Sequence, residues 1–87
     1  MTTKLLRCKV DIARRAASEV CNILNRPETH GTSLIIRRED ESRACNAKSL
    51  LGLLSLVLRE GDTVELTYEA AYERQLLKAL ADYFDVV

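Results

Sequence analysis

Between Leu50 and Leu58 only Gly52 and Ser55 interrupt a run of leucine and valine. A helix of this composition is apolar around most of its circumference, whereas a surface helix normally shows one apolar stripe. The run is too short to cross a bilayer, which takes about 20 apolar residues. The helix, predicted over 48–60 and ended by Gly61, therefore needs a sheet on one side and still carries leucines that a single layer does not bury. Unless flanking helices cover every one of them, an apolar patch of this kind marks a partner site.

The segments around the run describe that sheet. Thr63–Tyr68 alternates, with Val64, Leu66 and Tyr68 on one face and Thr63, Glu65 and Thr67 on the other, as a half-buried strand does. Residues 5–10 read as a first strand. Residues 32–38 and 43–45 read as a hairpin around the polar turn 39–42. Ala13, Ala16, Ala17, Val20 and Leu24 recur at helical spacing, with Asp11 placed to cap the first turn. Asn25, tolerant of a left-handed cap, and Arg26-Pro27 end that helix, and 27–31 follows as a loop. Tyr72, Leu76, Ala79, Leu80, Tyr83 and Phe84 give a last helix its apolar face. The order β-α-β-β-α-β-α predicts a single α+β domain over 1–87, its strands mainly antiparallel and covered on one side.

Composition narrows the function classes. The 87 residues are 47% hydrophobic and 30% charged, which is globular, with room for one modest core. Net charge is zero but unevenly spread: residues 1–48 hold ten Lys/Arg against six Asp/Glu, and residues 49–87 hold three against seven. That asymmetry steers acidic partners to one side, but it is no basic stripe and brings no aromatic platform, so direct nucleic-acid binding is not expected. Cys8, Cys21 and Cys45 are odd in number and widely spaced, with no C-x-x-C pair. They read as small hydrophobes of a reducing cytosol, with neither metal nor cofactor expected. No signal-peptide pattern and no membrane-spanning run is present, so a cytoplasmic location is expected.

The stretch Asn46-Ala47-Lys48-Ser49-Leu50-Leu51-Gly52-Leu53-Leu54-Ser55-Leu56 resembles the N-x-K-S-x-x-G-x-x-S-L signature of the HPr family, the histidine-containing phosphocarriers of the bacterial sugar phosphotransferase system. The likeness runs on to about Phe84, and Ala13-Arg14-Arg15-Ala16 resembles the family's A-R-P-A at the start of its first helix. It implies an open-faced sandwich, a four-stranded antiparallel sheet with three helices on one face.

The departures bear on function. Where the family carries its phospho-accepting histidine, this chain has Ile12, which has no lone pair with which to attack phosphorus. Arg15 replaces the proline, and the segment before the lysine-serine signature is several residues longer than usual. Arg14 survives from the phosphate-handling pair, and an arginine alone binds a phosphate without transferring it. His30, the only histidine, lies after the first helix rather than before it. Ser49 matches the serine that a dedicated kinase phosphorylates in Gram-positive-type bacteria, and a helix start stabilises an added phosphate; it also suits a plain helix cap.

These features together predict a non-enzymatic regulatory or adaptor protein with Ser49 as its regulatory site. The resemblance implies that Arg14, Lys48, Leu50, Leu51 and Leu54, at positions matching the family's contact surface, form its partner-binding face. The implied partners are a serine kinase of the HPr type, a transcriptional regulator or enzymes of the phosphotransferase system, with no membrane involved. Two alternatives stay open: a phosphocarrier using His30, and a binding domain that is not phosphorylated at all.

Overall fold

The computed structural model describes residues 1–27 and 34–87. Its elements in chain order are β1 (Thr2–Cys8), α1 (Arg14–Leu24), β2 (Ile35–Arg38), β3 (Ala44–Asn46), α2 (Leu50–Ser55), β4 (Thr63–Tyr68), a 3₁₀ turn (Ala70–Tyr72), α3 (Glu73–Ala79) and β5 (Phe84–Val86). The strands form one sheet in the order β3-β2-β4-β1-β5, every neighbouring pair antiparallel.

Alternation decides which face is covered. Val64, Leu66 and Tyr68 of β4 are buried, with Leu6 and Cys8 of β1 and Ile36 of β2 on the same side. Against them pack Ala17, Val20, Ile23 and Leu24 of α1, Leu53 of α2, and Leu76 and Leu80 of α3 and its cap, in one contiguous core. The opposite face keeps Thr3, Leu5, Arg7 and Ile35 exposed. Thr3 and Thr67, cross-strand partners on that open face, share a 2.9 Å hydroxyl hydrogen bond, and Arg37 pairs with Glu65 one step along.

The sheet has five strands where four were expected. The last helix stops at Ala79, and Phe84 belongs to a strand rather than to a helical stripe. Leu80, Tyr83 and Phe84 keep helical spacing through a turn in which the Tyr83 and Phe84 amides both donate to the Leu80 carbonyl, each at 2.9 Å. The chain then runs back along the open edge of β1, pairing Phe84 with Cys8 and Val86 with Leu6. An otherwise bare edge is thereby closed.

Other boundaries move for tertiary reasons. The first strand spans Thr2–Cys8 rather than 5–10, in register with β4 from Thr2 opposite Tyr68 to Arg7 opposite Thr63. Asp11 does not cap α1: its carboxylate accepts the Glu60 amide at 2.8 Å, and Ala13 holds the cap position without a side-chain bond. Asn25 does end α1, but in the right-handed bridge region (φ −96°, ψ 2°), its side-chain amide donating to the Cys21 carbonyl at 2.8 Å. The apolar run makes only six helical residues rather than the predicted 48–60. Leu58 leaves the helix to bridge Ile12 and is buried. Gly61, at φ 92°, then serves the turn into β4, a left-handed position that glycine takes without strain.

Candidate functional site

The start of α2 is built by local polar bonds. Asn46 accepts the Lys48 amide through its side chain at 2.9 Å, and its carbonyl accepts the Ser49 amide at 3.0 Å. Ser49 then holds the cap position, its hydroxyl oxygen accepting the Gly52 amide at 3.1 Å. Gly52 is required by close approach: a Cβ there would stand 3.1 Å from the Asn46 carbonyl oxygen and 3.3 Å from the Cys45 Cβ. From the other side, Cys21 Sγ and Asn25 Nδ2 both reach the Lys48 carbonyl, at 3.2 and 3.1 Å. The last turn of α1 thus pins the residue before Ser49.

The apolar run divides between core and surface. Leu53, Leu56 and Leu58 are buried, Leu54 is partly buried against the core, and Leu50 and Leu51 are exposed at 39% and 80%. Leu51 projects almost wholly into solvent. The expected apolar patch is present, with Leu54 at its base rather than fully free.

Helices α1 and α2 run in opposite senses. The end of α1 meets Lys48 at the start of α2, while Asp11, Ile12 and Ala13, just before α1, line a groove of about 310 Å³ with Leu54, Val57, Leu58 and Arg59. The face expected to join Arg14 to Lys48 and Ser49 is therefore a strip along α2. Lys48, Ser49 and Leu50 stand at one end, and Arg14, next to Ala13, at the other. One α-helix of eleven residues separates the two cationic ends, about 15 Å at 1.5 Å per residue.

Ile12 is a core residue, 1% exposed, and its amide donates to the Leu58 carbonyl at 2.9 Å. No lone pair is available from its side chain, and neither Ala13 nor the guanidinium of Arg14 supplies a nucleophile. Cys8 is buried, and burial together with the nearby Asp62 carboxylate pushes its thiol up to about 11. It is inert at neutral pH. No group of His, Cys, Asp and Glu able to hold a metal ion occurs among the described residues, and no helix among them is long and apolar enough to cross a membrane. His30 lies outside the described residues.

Sequence reasoning missed the support at the far end of α2. Arg38 Nη1 donates to the Leu56 and Val57 carbonyls at 3.3 and 3.1 Å and to Asp62 at 2.8 Å, and its Nε bonds Asp40 at 3.0 Å. The same Asp62 oxygen accepts the Arg59 amide at 2.9 Å. No local spacing signals a cap contributed from 18 residues upstream.

The sequence profile described as "PTS HPr component phosphorylation site" matches residues 3–85. Among solved structures, the chain is similar to HPr-C-His from Thermoanaerobacter tengcongensis, at TM-score 0.71 and 24% identity, over 94% of this chain and 89% of that one. It is also similar to the histidine-containing phosphocarrier protein of Mycoplasma, at TM-score 0.66 and 13% identity, over 93% and 91% of the two chains. No curated protein matches. At these identities the solved structures speak for the fold; the profile, covering nearly the whole chain, speaks for descent. The chain belongs to the HPr family of the phosphotransferase system.

Proposed function

We propose that this HPr-family chain is a regulatory or adaptor protein that docks on other proteins through the α2 face and carries no phosphoryl group on histidine. The observation that carries this reading is Ile12. It stands where the family's histidine is expected, it is aliphatic, and it is buried rather than offered to a partner. The docking face is the strip of Leu50, Leu51 and Leu54 between Lys48 and Arg14. A serine kinase of the HPr type, a transcriptional regulator and phosphotransferase-system enzymes are its proposed partners.

Ser49 is the proposed regulatory site. Its oxygen already caps α2 by accepting the Gly52 amide, while its hydrogen is the atom a phosphoryl group replaces. A phosphate at that position stands at the start of α2, where the helix dipole favours negative charge, and turns an apolar face with cations into an anionic one, exchanging one set of partners for another.

Two labelling experiments test the reading. Incubation with the general phosphotransferase enzyme and labelled phosphoenolpyruvate is expected to leave no acid-labile label; stoichiometric label on His30 would overturn the proposal in favour of a relocated carrier. Incubation with an HPr-type serine kinase and ATP is expected to give acid-stable phosphate that Ser49→Ala abolishes. Without such phosphate, the chain is a binding domain independent of phosphorylation.

A further inference from the structure

Among the described residues, two other than glycine have left-handed backbone: Arg14 at φ 37° and Val57 at φ 51°. Both stand at one groove, Val57 in its wall and Arg14 next to the lining residue Ala13. Left-handed geometry brings Cβ against the following carbonyl, and a β-branched side chain there is an outlier. Val57 follows Leu56, the last cap residue of α2, in the position that helices commonly give to glycine. Yet its side chain buries little, being 60% exposed. Such outliers persist only where their surroundings over-determine them, and they gather at functional sites.

The surroundings here are Arg38. Its guanidinium, only 15% exposed, takes the Leu56 and Val57 carbonyls on one nitrogen and is held there by Asp62. Asp62 in turn fixes the Arg59 amide, so the chain on both sides of Val57 and Leu58 is tied to one ion pair. We propose that Arg38 is a positioning residue, a latch that imposes the left-handed backbone on Val57 and so keeps its side chain standing at the groove rim. As a feature of the docking face, the latch rests on the reading given above. As a conformational device it belongs to the free protein and can be tested there.

Glycine relieves left-handed strain, so replacing Val57 reports how much strain the latch sustains. Val57→Gly is expected to raise Tm by about 4 °C in the natural chain. In the Arg38→Met background the valine is free to relax, and the same replacement is expected to gain only a small fraction of that rise. Asp62→Asn is nearly isosteric and provides a second background, which decides alone if Arg38→Met does not fold. An equal gain in every background would overturn the proposal, because the pairing of Leu58 with Ile12 would then set the backbone without Arg38. A natural chain that gains nothing from Val57→Gly would overturn it as well. All of these are thermal unfolding measurements on the free protein, so they stand or fall separately from partner capture.

Discussion

Leu51 and Leu53 sit two positions apart on one short helix, yet one is 80% exposed and the other fully buried. Side chains two apart on a helix point in different directions, and here one direction is the core and the other is water. Leu53→Ala removes packed methyl groups from a closed interior and is expected to cost about 2–5 kcal/mol in urea unfolding. Leu51→Asp is expected to change stability by no more than about 0.5 kcal/mol, as substitutions at exposed positions do, while weakening capture of a partner such as the HPr-type serine kinase. A loss at Leu51 as large as that at Leu53 would mean the patch is packing, not a docking surface. Leu54 falls between them, packed against the core while lining the groove, so its substitution should register in both measurements.

Within β4 the two faces do different work. Leu66 lies opposite Lys4 and Ile36 with its side chain in the core, whereas Thr67 lies opposite Thr3 and Ile35 on the open face. Leu66→Ala is expected to cost about 2–5 kcal/mol, and Thr67→Ala about 0.5–1.5 kcal/mol, the net worth of its hydroxyl bond to Thr3. Equal losses in denaturant titrations would mean that both faces are covered. The helices follow a different rule, since their ends are fixed from outside. Cys21 of α1 and Asn25 at its C-cap hold the start of α2, and Arg38 of β2 holds its end. The strip bearing Leu50, Leu51 and Leu54 is thus presented by a six-residue helix that propensity alone would not sustain.

For the molecule as a whole, the Arg38 cluster joins the hairpin turn, the end of α2 and the start of β4, and it carries a pH signature. Hydrogen bonding to Arg38, then to the Arg59 amide, holds the Asp62 carboxyl below the usual carboxylate range, and Arg38 lowers Asp40 likewise. A carboxyl with a folded-state pKa below its unfolded value of about 3.9 adds stability above that value and loses it as pH falls through the folded one. Thermal stability is therefore expected to decline on acidification below about pH 4 through this cluster. Asp62→Asn should flatten part of that decline; an unchanged slope would show that other carboxylates carry it.

What the sequence determined by itself is what depends on neighbours along the chain. The alternation in Thr63–Tyr68 set the covered face of the sheet. The excess of leucine over what one layer can bury pointed to an exposed patch, and Ser49 three residues before Gly52 set the cap. Tertiary structure alone decided where the apolar run stops being helix, because Leu58 leaves to pair with Ile12 across 46 positions and Arg38 ties down the carbonyls it leaves behind. It also decided that Phe84 ends in a fifth strand, since helical spacing persists through a turn and only the free edge of β1 distinguishes the two outcomes. Local pattern fixes which side chains seek the core. Where each element ends is settled by hydrogen-bonding groups that the fold brings together from distant parts of the chain.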